Sequence, residues 1–128
     1  MSEVKQKTGF SFGGYFAHLA DDGGCLTLPV TDTFWSEDIA GLPPGRLVSL
    51  MASDADWAVW EMHPAGDEFI LQMSGVMTLL FDDGQPPVRL EAGRFAVVPK
   101  GAWHTADVEA PGQALFITPG EGTQSRPR

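Results

Sequence analysis

The sequence predicts a small all-β domain of the antiparallel sandwich or barrel kind, and three observations carry that prediction. Apolar and polar residues alternate with a period of two in several short runs. Turn-forming residues separate those runs, with 15 Gly and 10 Pro in 128 residues. No segment sustains the 3.6-residue period of an amphipathic helix. A chain of this length forms one domain and buries roughly two thirds of the surface its unfolded form exposes.

Taken in order, Cys25 to Val30 and Leu47 to Ala52 read as short strands. Between them, Trp35 to Ile39 suits one helical turn, and Leu42-Pro43-Pro44-Gly45 breaks the chain. From Trp57 to His63, Trp57, Val59, Glu61 and His63 share one face, opposite Ala58, Trp60 and Met62. The tight Pro64-Ala65-Gly66 corner then returns a strand in which Glu68, Ile70 and Gln72 alternate with Phe69, Leu71 and Met73. Val76 to Phe81 ends in the hairpin signal Asp82-Asp83-Gly84, and Pro86-Pro87 bars a helix after it. Val88 to Glu91, Phe95 to Val98 and Ala114 to Thr118 complete the strands. The core spans 47–118, the N-terminal strands and a candidate dimerisation arm occupy 1–46, and 119–128 reads as a flexible tail.

Composition narrows the function. Net charge is −9, from 17 acids against 8 bases, which argues against nucleic-acid binding and favours solubility. No apolar run approaches the ~18 to 20 residues of a membrane span, and the first residues lack the continuous apolar core of a signal peptide. Cys25 is the sole cysteine. It forms no intrachain disulfide, suits a reducing cytoplasm, and reads as a small buried thiol.

Two segments carry the chemistry: Glu61-Met62-His63-Pro64-Ala65-Gly66-Asp67-Glu68 and Pro99-Lys100-Gly101-Ala102-Trp103-His104. On an extended strand Glu61 and His63 leave the same face about 6.5 to 7 Å apart, close enough to grip one ion. Glu68 returns beside them after the corner, and His104 adds an imidazole after a Pro-x-Gly turn. Glu61, His63, Glu68 and His104 are therefore candidate ligands of one divalent metal, which would cancel the repulsion between two converging carboxylates. In the alternative, Glu61 and His63 satisfy each other or a nearby backbone group without metal. Asp67 faces away by parity and reads as a solvent-facing or turn-stabilising acid. Gln72 shares the Glu68 face, where it either orients a substrate or is a satisfied interior amide. Trp57 is the best placed of the tryptophans for a pocket wall, Trp60 and Trp103 read as core, and His18 reads as a surface or loop histidine.

These segments resemble the two motifs of the cupin family, Gly-x5-His-x-His-x3 or x4-Glu-x6-Gly and Gly-x5-Pro-x-Gly-x2-His-x3-Asn. His63, Glu68 and Gly75 fall in register with the first, and Gly93, Pro99, Gly101 and His104 with the second. Ala55, Val108 and Glu61 stand where the motifs have Gly, Asn and the first His. Only Glu61 touches the chemistry. The resemblance covers about residues 55 to 108 and implies a double-stranded β-helix, or jelly-roll, barrel. It also implies a homodimer sharing N-terminal strands.

With a carboxylate at position 61, the ligand set favours Fe²⁺, Mn²⁺ or Zn²⁺ over copper. The expected function is a small metal-dependent enzyme, of oxygenase or of isomerase or lyase type, acting on a small oxygenated molecule. Glu61 is the candidate base when it stands off the metal. The competing readings are a non-catalytic cupin module that binds a small molecule or metal, and a structural oligomer with a vestigial site.

Overall fold

Side chains that alternate between an apolar interior and an outer face assemble two antiparallel sheets in the computed structural model, which describes residues 8–128. Of the expected N-terminal strands and arm over 1–46, residues 1–7 lie outside the described residues. In chain order the strands are β1 (Tyr15–Ala20), β2 (Cys25–Pro29), β3 (Gly45–Ser53), β4 (Val59–Met62), β5 (Glu68–Gln72) and β6 (Val76–Phe81). They continue with β7 (Val88–Leu90), β8 (Phe95–Val98), β9 (His104–Ala110), β10 (Gly112–Thr118) and β11 (Gln124–Pro127). One sheet runs β2-β1-β3-β10-β5-β8 and the other β11-β4-β9-β6-β7. This is the double-stranded β-helix, or jelly roll, that the motif resemblance implies.

The inner faces meet over Ile70, Met77, Leu79, Leu90, Val98, Ala106, Ala114 and Phe116. Burying a large side chain such as Ile70 or Leu79 contributes about 1.5 to 3 kcal/mol. This core fills one end of the barrel. A second cluster, Phe16, Phe34 and Leu47, fastens the 31–42 segment onto β1 and β3, with Phe16 and Phe34 rings edge to face at 5.4 Å. Between the two clusters the barrel is left open, and the ligand-bearing segments face that opening.

The two outer faces differ. On the five-stranded sheet the outer face is polar: Arg89 pairs with Glu91 and Glu109, and Arg128 with Asp107. On the six-stranded sheet it is apolar. Register sets Leu115 beside Leu71 and Leu50, Ile117 beside Phe69 and Val48, and Leu71 beside Phe95. Phe95 is 61% exposed and Val97 53%.

β6 and β8 have the predicted bounds, but β1, β9 and β11 are strands that alternation alone did not reveal. β9 carries Asp107 and Glu109, whose outward placement and arginine partners make a sheet strand read as a polar run. The tail over 119–128 is not free. β11 pairs with β4 from Gln124↔Met62 to Pro127↔Val59, and the Arg126 guanidinium lies over Trp103 at 4.3 Å and Trp60 at 5.9 Å. These backbone and cation–π contacts hold a segment with no apolar pattern. The helical turn forms at Asp38–Gly41, slightly after its predicted place. Cys25 is exposed rather than buried. His18 is buried rather than at the surface, because the inner face of β1 turns it toward the β3 side of the barrel.

Candidate metal centre

Two turns bring the ligand-bearing segments together. Gly101 occupies φ +78°, which an L side chain resists, so the Pro99-Lys100-Gly101 corner can close tightly before His104 starts β9. That corner is bonded to the other segment twice. The Gly101 N–H donates to the His63 carbonyl at 3.0 Å, and the Lys100 N–H donates to Asp67 Oδ1 at 2.7 Å. Asp67 therefore braces the two loops, in keeping with its expected turn-stabilising role. Across the sheet, Glu61 on β4 stands opposite His104 on β9.

His63, Glu68 and His104 converge. Their ligand atoms lie within 4.8 Å of one another, and all three residues are buried. His104 Nε2 is 3.1 Å from Glu68 Oε1, and His63 Nε2 is 3.3 Å from Glu68 Oε2. His63 Nε2, His104 Nε2 and Glu68 Oε1 nevertheless have no hydrogen-bond partner, because the approaches are short in distance but poorly directed. The remaining polar atoms are held. His104 Nδ1 faces the Ala102 carbonyl at 3.0 Å, His63 Nδ1 faces Thr123 Oγ1 at 2.8 Å, and the Thr118 hydroxyl donates to Glu68 Oε2 at 2.6 Å. If the Nδ1 atoms carry the protons, both Nε2 lone pairs face the carboxylate. Thr118 and Thr123 were missed in the sequence because they come from β10 and the loop after it, and a lone threonine carries no ligand spacing.

The electrostatics follow from this crowding. Burial alone would raise the Glu68 carboxyl, but His104, His63 and the Thr118 hydroxyl hold it down at about 2. Burial alone would lower His104, but Glu68 beside it, then the Ala102 carbonyl and Glu61, raise it. Glu61 stands apart from the convergent trio and lines the cavity above it. Burial, reinforced by the charge of Glu68, pushes its carboxyl up against the pull of His63 and His104.

A cavity of about 500 Å³ opens over the trio. Trp57 forms part of its wall, with its ring edge to face with His104 at 6.2 Å. Gln72 is placed elsewhere. It shares the inner face of β5 with Glu68, but its amide donates to the Ser74 carbonyl at 2.7 Å and it borders a separate, closed space near Met77 and Ala114. Two strand repeats along β5 separate it from Glu68, so same-face parity does not put it at the site. Trp60 and Trp103 lie under Arg126 rather than in the core.

The chain matches the family model described as a cupin domain over residues 46–121. It is similar in structure to a cupin-2 domain-containing protein from Shewanella frigidimarina, at 26% identity over 58% of this chain and 70% of that one, with a TM-score of 0.52. A cupin superfamily protein from Desulfitobacterium hafniense aligns over 94% of this chain and 84% of its own, at 18% identity and a TM-score of 0.53. Hydroquinone 1,2-dioxygenase from a Sphingomonas species, crystallised with 4-hydroxybenzoate bound, aligns over 64% of this chain and 70% of its own, at 19% identity and a TM-score of 0.51. No curated protein matches the chain.

Proposed function

The chain belongs to the cupin family, and we propose that it is a small metal-dependent enzyme whose divalent ion is held by His63, Glu68 and His104. Three buried ligand atoms that converge without hydrogen-bond partners are the observation that supports this reading. Metal bonds of about 2.1 Å at 90 to 110° separate neighbouring ligand atoms by about 3.0 to 3.4 Å. The imidazole-to-carboxylate separations of 3.1 and 3.3 Å fit that spacing. Two imidazoles and a carboxylate suit Fe²⁺, Mn²⁺ or Zn²⁺. When bound, such an ion supplies Lewis acidity and, with iron or manganese, one-electron redox chemistry.

The chain's own residues supply the rest. Thr123 and Ala102 fix the two imidazole rings, and Thr118 fixes the Glu68 carboxylate. Trp57, Val59 and Phe116 give the cavity above them apolar walls. Glu61 accepts a proton from a substrate carbon or hydroxyl in the cavity, or joins the ligand set as a fourth donor. The substrate is a small oxygenated molecule, and the reaction is of the oxygenase or of the isomerase or lyase type.

We also propose a homodimer, formed through the apolar outer face of the six-stranded sheet over β10, β5 and β8. That face presents Phe95, Val97, Leu71 and Leu115 where a monomer would present polar groups. A cytoplasmic location accords with the single cysteine. No helix among the described residues is long and apolar enough to cross a membrane.

The test of the metal reading is elemental analysis of protein purified without a metal-affinity tag. Near-stoichiometric iron, manganese or zinc is expected in the parent, with loss in Glu68→Gln and His104→Ala. A parent that holds no metal and takes up none on addition of Fe²⁺, Mn²⁺ or Zn²⁺ would leave a non-catalytic binding module. Oxygen uptake with a panel of diketones and hydroxy acids then separates oxygenase from isomerase or lyase chemistry.

A further inference from the structure

We infer that the cavity above Glu68 takes a neutral molecule with an apolar body and an oxygen donor at one end, and that it excludes carboxylates and phosphates. The orientation of that oxygen toward His63, Glu68 and His104 rests on the proposed metal reading. The charge selectivity does not.

The walls and the floor of the cavity differ sharply. Trp35, Leu47, Met51, Trp57, Val59 and Phe116 make the walls apolar, while Glu61, His63, Glu68, Thr118 and Thr123 gather the polar atoms at one end. Its volume of about 500 Å³ is within the range of about 300 to 1,000 Å³ that small-ligand sites span. Among the described residues, no lysine or arginine lines it. Three arginines of the barrel are committed to the outer face of the other sheet: Arg89 to Glu91 and Glu109, Arg126 to Asp82, and Arg128 to Asp107.

An anionic ligand would therefore meet no lysine or arginine among the described residues. With a divalent ion in place, the carboxylates of Glu61 and Glu68 already balance it. Without the ion, the Glu61 and Glu68 carboxylates face the cavity, and the imidazoles beside them are turned to Glu68. In both states a carboxylate tail would be desolvated against tryptophan and aliphatic surface without a partner, which is strongly unfavourable. A neighbouring chamber of about 500 Å³ shares Trp35, Ile39, Leu47 and Thr123 with this one, and among the described residues its titratable lining is Glu121 and His18. A longer ligand extending into it would again find no lysine or arginine among the described residues.

Calorimetric titration with 4-tert-butylcatechol and 3,4-dihydroxybenzoate tests the inference, since the two share a chelating head and differ in an apolar or a carboxylate tail of similar size. Each is titrated under nitrogen into manganese-loaded and metal-free protein. The tert-butyl compound is expected to bind at least roughly tenfold tighter than the benzoate in both forms, and tighter still with manganese. Met51→Arg, at a part-exposed wall position, is expected to narrow that gap; Ser53→Arg at the rim serves if the first variant does not fold. Equal or tighter binding of the benzoate to the parent protein, or no binding of either compound, would overturn the inference. A preserved preference for the neutral compound without any gain from manganese would support the charge selectivity and count against the metal reading alone.

Discussion

Thr123 Oγ1 lies 2.8 Å from Nδ1 of His63, joining residues sixty positions apart in the chain. The contact sets the rotation of an imidazole whose opposite nitrogen faces Glu68. Partners of this kind typically alter metal affinity by about 10- to 100-fold when removed. Thr123→Val is therefore expected to weaken manganese binding by a factor in that range, with Thr123→Ser close to the parent. Competition against a chelator measures it. Equal affinity in all three proteins would remove Thr123 from the positioning role.

Asp67 should matter for the same geometry through the backbone. Asp67→Ala leaves the Lys100 N–H without its acceptor and frees the corner that leads into His104. A loss of about 1 kcal/mol in unfolding free energy is expected, with faster hydrogen exchange at Lys100 and Gly101. Unchanged exchange there would show that the Gly101 bond to His63 suffices.

The metal-free protein should have a pH window of greatest stability. Glu68 titrates at about 2 in the folded chain against an ordinary 4.5, so its contribution is fully present above 4.5 and disappears as pH falls toward 2. His104 is raised above its ordinary 6.5, so its contribution is fully present below 6.5 and disappears as pH rises through the folded value. Both describe one contact, counted once, and they bracket about pH 4.5 to 6.5 as its range. Urea unfolding across pH measures the window, and Glu68→Gln should flatten it. Metal binding needs neutral imidazoles and should strengthen as pH rises.

Glu61→Gln should separate stability from function. Burial and the charge of Glu68 both disfavour an ionised Glu61, so the amide is expected to raise the melting temperature of the metal-free protein by a few degrees at neutral pH. The same substitution removes the proton acceptor and is expected to lower turnover while metal is retained. A drop in melting temperature would show that ionised Glu61 is better satisfied than its surroundings indicate.

The apolar outer face predicts the oligomeric state. Leu115→Glu places a charge where Leu71 and Leu50 flank it on neighbouring strands, and Phe95→Lys charges the sheet edge. Each is expected to convert a dimer to a monomer in light scattering, with the melting temperature of the barrel little changed. A monomeric parent would remove the proposed interface.

Short-range features were legible because each has a local physical cause. Gly75 shows the pattern. It takes φ +71°, and a side chain there would meet the Ala110 and Pro111 carbonyls at 2.5 Å, so only glycine fits the turn. His63, Glu68 and His104 were likewise readable, because strand parity and turn length bound where their side chains go. β11 was not readable, since its order comes from pairing with β4 and from Arg126 over Trp103. Gln72 misled because parity specifies a face and not a depth along it.

The amino-acid sequence by itself determined an all-β barrel, its two turns and four candidate ligands, Glu61, His63, Glu68 and His104, because alternation, glycine conformation and short spacings act within a few residues. Only the tertiary structure decided what those residues face. It separated Glu61 from the trio, brought Thr118 and Thr123 from distant segments to hold it, and lined the cavity without a lysine or arginine among the described residues. Those outcomes depend on which strands become neighbours, and long-range packing of the two sheets settles that.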